Sequence, residues 1–394
     1  MPPPAHQAPR HPAIDLLRGL VMVVMLLDHT RDFVHVDGLT GDPTDLRTTT
    51  PALFLTRWIT HYCAPVFVFL AGLSIRIQLL RGADRRELGL RTMRRGCHFL
   101  LLELVVLRPL MWFQFDYSFL AHLQVIWAIG WGMVVLGALL RTRVPPAAIA
   151  AAGLLVVAGH NLLTHVPFAF TDVRAWETLR ILLFGRGGIQ FGADGPVAIG
   201  QYAIVPWVGV LLVGFGLGRL YGLEATARRR ALLGLGLTAC TLFVLLRATG
   251  GYGDPSPWTN EPTTWRSVLS FLRVEKYPPS LQYLLMTLGP GLLVLAACER
   301  VRADGPWSVV VRLGRAPLFF YVLQWATVHL VSRLLQWLDG QPIGWDAPNP
   351  LLQQPLPPGC GFSLGVVYLA WAIGLAGLVP LTLWWERQRR PAAR

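Results

Sequence analysis

The sequence predicts an all-α protein: a polytopic bundle of about ten transmembrane helices with both termini on the cytoplasmic side. Three observations carry this. Hydrophobic residues make up 53% of the 394 and charged residues 14%, with a mean hydropathy of +0.47, whereas soluble domains carry roughly 25% charged residues. Apolar stretches near the ~20 residues needed to cross a bilayer recur along the chain. Most of the 35 Lys and Arg fall in alternate loops, as the positive-inside rule requires.

The expected spans are 14–36, 56–80, 97–114, 119–140, 144–162, 201–221, 231–247, 281–299, 314–337 and 362–385. The first is kept as a span rather than a signal peptide, because it carries Asp15 and Arg18 and lacks a small-residue cleavage site. In the second, Pro65 is expected to bend the helix, and Gly72 with Ser74 to allow close packing. Glu103 and Arg108 interrupt the third, His122 and Gln124 begin the fourth, and Gln324 and His329 lie in the outer half of the ninth. Residues 1–13 and 387–394 read as cytoplasmic tails around one integral membrane domain spanning 14–386 of the 1–394 chain. Three outward loops, 37–55, 163–200 and 248–280, are too long for simple turns. Within them VRAWETLRILLFG and WRSVLSFLRVEKYPPS have helical spacing.

The +13 net charge reads as membrane topology rather than nucleic-acid binding, since no recognition motif accompanies it. Five scattered cysteines, with no CxxC pair, give neither a disulfide framework nor a metal set. Cys63 and Cys360 fall on one expected side, and free thiols are favoured over a bridge. Heavy use of Arg and Ala, with Lys276 the only lysine, fits a GC-rich bacterial genome. No HExxH, P-loop, GxSxG or GxGxxG motif occurs.

Chemistry concentrates in the first two spans. Asp15 and Arg18 are three apart at the inner end of the first span, near enough to pair. Asp28, Asp32 and His35 share a helix face at its outer end, with His29 and Arg31 alongside; Arg57 and His61 enter at the same level from the second span. Ionisable groups this deep are costly and face a polar interior or a partner. The bland alternative is a snorkelling inner anchor and a wet outer cap. Arg18 and His29 are eleven residues apart, so they differ by about 20° around the axis and about 16 Å along it. One stripe thus offers a cation at one membrane face and an imidazole near the other, a polarity that matches an acyl-CoA laid lengthwise. His160 and His165, at an outer helix end, read as solvated.

The runs IDLLRGLVMVVMLLDHTRDFVH, DPTDLRTTTPALFLTRWITHYCAPVFVFLAG, EKYPPSLQYLLMTLGP and LGRAPLFFYVLQ resemble the membrane proteins grouped with the heparan-alpha-glucosaminide N-acetyltransferase catalytic domain, most specifically over 15–74. The Arg18-to-His29 spacing is also similar to the Arg-x10-His pattern of membrane O-acyltransferases that acetylate surface sugars. The resemblance implies a multi-span enzyme that moves acetyl groups from cytosolic acetyl-CoA to an amine or hydroxyl, often of a sugar, on the far side. Lysosomal members place their histidine farther out in the first loop, where His35 and then His61 are the candidates here.

The expected site is therefore His29, His35 or His61 as general base, Asp28 or Asp32 orienting the ring, Arg18 with Asp15 at the donor's phosphate end, and no metal. Expected partners are the lipid bilayer of a bacterial cytoplasmic membrane, acetyl-CoA as co-substrate and a saccharide or other small acceptor, with a homodimer left open and no nucleic acid. Two other classes remain: a transporter or flippase for an anionic or lipid-linked metabolite, which would work without acyl-CoA, and a sensor that binds without turnover.

Overall fold

The computed structural model of the chain describes residues 11–38, 41–113, 119–163, 173–192, 195–345, 357 and 359–389. Most of the N-terminal tail, His165 and residues 390–394 lie outside them. The first half contains α1 (Pro12–Val34), α2 (Pro51–Thr60), α3 (Cys63–Leu80), α4 (Arg85–Leu102), a π-helical turn (Glu103–Leu107), α5 (Arg108–Trp112), β1 (Phe119–Leu123), α6 (Val125–Arg141), α7 (Pro146–Leu163) and α8 (Val173–Phe184). Then follow β2 (Gly187–Gln190), β3 (Val197–Gly200), α9 (Ile204–Leu217), a 3-10 turn (Gly218–Gly222), α10 (Ala225–Thr249), α11 (Thr264–Leu272), α12 (Leu281–Cys298), α13 (Ser308–Leu313), α14 (Pro317–Leu338) and α15 (Leu364–Gln388). This is an all-α polytopic helix bundle with one small sheet.

Among the described residues seven helices are long and apolar enough to cross a membrane: Pro51–Leu80, Pro146–Leu163, Ile204–Gly222, Ala225–Thr249, Leu281–Cys298, Pro317–Leu338 and Leu364–Gln388. Helix α6 is apolar but shorter, and α1 is long enough but charged at both ends. Each of the ten expected spans contains a helix, with local corrections. The helix of the third begins at Arg85 rather than residue 97, because Asp84 caps it by accepting the Glu87 backbone N–H at 2.8 Å. Residues 119–123 form a strand instead of opening the fourth span. The strand pairs with β3, and buried charges of the preceding helical segment hold its two ends: Arg108 Nε donates to the Phe119 carbonyl at 2.8 Å, and Glu103 Oε1 accepts the N–H of Gln124, just after the strand, at 2.9 Å. The ninth begins at Pro317, with α13 as a separate turn before it.

The long loops are structured. Helices α8 and α11 lie where helical spacing places them, whereas the β2–β3 hairpin, with β1 parallel to β3, has no counterpart in the sequence reading. His160 is not solvated: it is 1% exposed, and its Nε2 lies 2.7 Å from the Pro279 carbonyl, tying α7 to the loop before α12. Cys63 and Cys360 are buried free thiols.

Two junctions set the site. Helices α2 and α3 meet at His61–Tyr62 because Pro65 has no N–H to give the His61 carbonyl; the Tyr283 hydroxyl of α12 donates to that carbonyl instead, at 2.8 Å. Helix α1 lies against α13 and α14 at a distance only glycine permits: a Cβ on Gly314 would sit 1.8 Å from the Asp15 carbonyl oxygen. The same holds for Gly72 of α3, whose added Cβ would meet the Leu211 carbonyl of α9 at 1.9 Å. Gly72→Val is therefore expected to abolish the monodisperse species in detergent size-exclusion chromatography, whereas Gly234→Ala, whose Cβ would meet nothing within 4 Å, is expected to leave it unchanged.

Candidate functional site

At the arginine-rich end, Arg18 Nη1 donates to Asp15 Oδ1 and to the Gly314 carbonyl, both at 3.1 Å, and its Nη2 donates to Ser74 Oγ at 3.2 Å. Arg315 Nε lies 3.6 Å from Asp15 Oδ2 and is held from behind by Glu386 of α15. The pairing of Asp15 with Arg18 expected from their spacing is present, but both side chains also line a cavity. Its volume is about 490 Å³, within the range of small-molecule sites. Arg18, Arg81, Arg95 and Arg315 line it together with His11, Gln78 and Ser74; its apolar lining comes from Phe67, Ile75, Phe99, Ile126 and Ile129, and Tyr321 also borders it. Burial and the neighbouring Arg81 and Arg228 push His11 below the usual imidazole range, so it is neutral at physiological pH.

Tyr321 connects this cavity to His29. Their rings lie edge to face at 6.4 Å, and His29 stacks on Trp325, one turn along α14, with centroids 4.1 Å apart and planes 22° apart. The stripe expected on α1 is thus real: Arg18 and His29 both face the α13–α14 side. Around His29 several polar atoms are buried without a hydrogen-bond partner of proper geometry among the described residues: His29 Nδ1, the Tyr321 hydroxyl, the Trp325 indole N–H and both amide atoms of Gln324. Gln324 is 0% exposed and close enough to interact with His29. These groups pair with one another only loosely, Gln324 with His29 and Trp325 with the Tyr321 hydroxyl, whereas buried polar groups are normally fully satisfied.

Beyond His29, toward the end bearing the long loops, lies a buried ion cluster. Arg57 Nη1 binds Asp28 at 2.6 and 2.8 Å, Thr60 Oγ1 donates to Asp28 Oδ1 at 2.7 Å, and Arg31 Nη2 reaches the same oxygen at 3.0 Å while also bonding Asp32. The expected carboxylate–histidine pair is therefore not what Asp28 forms. Two guanidinium groups and a hydroxyl occupy its oxygens, and His29 is oriented by the stack on Trp325. His61 is buried, edge-on to Tyr283 at 5.6 Å, with Nδ1 unpartnered, and within electrostatic range of Asp28. His35 is turned away: its Nδ1 accepts the Asp37 backbone N–H at 3.1 Å, and its backbone bridges to Phe362.

Sequence reasoning did not place Tyr321, Trp325 or Lys276 in this arrangement. The lone lysine was visible; its position was not. No group of three or more candidate metal ligands is present among the described residues.

Comparison with protein families matches residues 10–246, more than half of the chain, to the family described as heparan-alpha-glucosaminide N-acetyltransferase, catalytic. The chain belongs to that family. Membership supports membrane acetyltransferase activity in general, with acetyl-CoA as the family's donor. No curated protein matches the chain. The matched region carries Arg18, Asp28, His29, Arg57 and His61, whereas Arg315, Tyr321, Gln324 and Trp325, which complete the cavity and the stack, come from beyond it.

Removing one partner of a buried ion pair leaves an uncompensated charge and costs roughly 3–5 kcal/mol. Asp28→Ala is expected to destabilise the protein by about that much, read as a clear fall in the midpoint of thermal unfolding in detergent. Asp45→Ala, in an exposed pair with Arg47, is expected to shift it little.

Proposed function

We propose that this protein is a membrane-embedded acetyltransferase that takes the acetyl group of cytosolic acetyl-CoA at its arginine-rich end. It transfers the group to an amine or hydroxyl, in the first instance of a sugar, reaching the site from the end bearing the long loops. The carrying observation is the cavity that begins among Arg18, Arg81, Arg95 and Arg315 and is bordered by Tyr321, the residue that also abuts His29. Guanidinium groups bind phosphates through charge-assisted, often bidentate hydrogen bonds. The apolar lining suits the thin pantetheine arm, and the unpartnered polar atoms around His29 suit a thioester carbonyl and an incoming acceptor.

In this reading His29 accepts the proton of the acceptor nitrogen or oxygen as that atom attacks the thioester carbon. The carbon–sulfur bond breaks, the acetyl group remains on the acceptor, and the thiolate leaves with CoA and takes up a proton. Gln324 and the Tyr321 hydroxyl are placed to donate to the carbonyl oxygen as it gains charge. Asp28 and Asp32 act through Arg31 and Arg57, fixing the field around the imidazole. Asp15 holds Arg18 toward the cavity. His61 is the next candidate base, and His35, turned away, the last. The setting proposed is a bacterial cytoplasmic membrane, with residues 14–386 working as one domain.

Acetyl transfer from radiolabelled acetyl-CoA in membranes tests this. His29→Ala is expected to lower the rate by about 10²–10⁴-fold while acetyl-CoA still binds, whereas Arg18→Ala is expected to weaken acetyl-CoA binding. Unchanged rates in His29→Ala, His35→Ala and His61→Ala, each made singly, would end the proposal.

A further inference from the structure

The arginine-lined cavity stops at a definite level. The last residue lining it on α3 is Phe67, on α6 Val125 and on α14 Tyr321. Phe67 lies seven residues, about 10 Å along the helix, from Ser74, the partner of Arg18. Val125 lies eight residues, about 12 Å, from Met133 on the lining side of α6, whose far end, Arg141, belongs to the arginine-rich face. Toward the mouth α3 presents Ala71, one turn from Phe67, so the wall recedes there and then closes. On α1 the lining ends at Arg18, and the His29 ring stands behind Tyr321, edge to face at 6.4 Å.

Both closing side chains are anchored. Val125 opens α6 directly after Gln124, whose backbone N–H is held by Glu103 and whose amide donates to Gln201 Oε1 at 3.2 Å. Just before it, the Leu123 carbonyl accepts the backbone N–H groups of Gln201 and Tyr202 at 3.2 and 3.1 Å. Phe67 stands one turn past Cys63, whose thiol donates to the Val21 carbonyl of α1 at 3.6 Å, and its ring packs against the main hydrophobic core. A chain pushing past either residue would have to shift these elements, and forcing extra methylenes into a packed site is destabilising.

We infer that Phe67 and Val125 set the length of the acyl group: together they form an apolar floor that takes the methyl of an acetyl group and turns longer acyl chains away. This rests on the proposed acyl transfer for its placement, but it concerns donor binding and can be read without turnover. With the methyl against Phe67 and Val125, the thioester carbonyl is left beside Tyr321, the one polar residue at this level of the cavity lining. A rigid apolar site separates substrates that differ by one methylene by roughly 10–200-fold. A cavity without a floor would do the reverse, since each added methylene would bury more apolar area and tighten binding.

The test is competition of acetyl-, propionyl- and butyryl-CoA against radiolabelled acetyl-CoA on the purified full chain carrying His29→Ala, so that no acyl group is consumed. Affinity is expected to fall from acetyl- to butyryl-CoA by at least about tenfold. In the same background Val125→Ala and Phe67→Leu, each checked for an unchanged thermal midpoint, are expected to bring butyryl-CoA close to acetyl-CoA. Val125→Leu, which extends a side chain into the floor, is expected to weaken propionyl-CoA further. Affinity that stays level or rises with chain length, or a preference for acetyl-CoA that all three variants keep unchanged, overturns the floor. Butyryl transfer by the otherwise unaltered protein at the acetyl rate would also overturn it and leave the proposed function standing. Length-selective binding with no acyl transfer to any amine or alcohol would instead count against the proposed function and leave the floor standing.

Discussion

Charge carried through an apolar bundle must be matched by charge or hydrogen bonds from neighbouring helices, and in this protein α1 imposes that demand at both ends. Asp15 and Arg18 are answered by Gly314, Arg315 and Ser74, with Glu386 behind them. Asp28, Arg31 and Asp32 are answered by one another, by Arg57 and by Thr60. These pairings bring α1 together with α2, α3, α13 and α14, and the glycine contacts let the backbones approach far enough to make them.

The consequence is a division of labour along α1. Because Asp28 is committed to two arginines, the imidazole beside it is left to an aromatic stack and to side chains with unfilled hydrogen bonds. A histidine held this way, at the far side of the residue bordering an arginine-lined cavity, suits proton transfer better than a histidine locked into a salt bridge. The buried ion pairs lie on the side of the imidazole away from the arginine-lined cavity.

How much of this was legible in the sequence follows from the range of the interactions. The α1 stripe was readable because eleven residues bring a helix back to nearly the same face, and the Asp15–Arg18 pair because it is local. The expectation that Asp28 would orient a histidine failed for a long-range reason: Arg57 and Thr60 arrive from α2, and only the fold shows that they reach the carboxylate first. Trp325 lies almost 300 residues from His29, and no periodicity reports such a neighbour. His160 was misread as solvated because its partner is a carbonyl in a loop 119 residues away. The strand at 119–123 was hidden inside an apolar run, where length alone favoured a helix, and the GGIQ and VAIG segments that complete its sheet are too short and glycine-rich to show an alternating pattern.

The central claim is that one side of α1 guides an acyl-CoA from the arginine-lined mouth to His29. A cryo-electron-microscopy structure with a non-hydrolysable acetyl-CoA analogue tests it most directly. The account predicts phosphates among Arg18, Arg81, Arg95 and Arg315, and the thioester-mimicking carbonyl beside Tyr321, Trp325 and His29. An analogue seated elsewhere in the bundle, or one whose acyl end points away from α14, would contradict it.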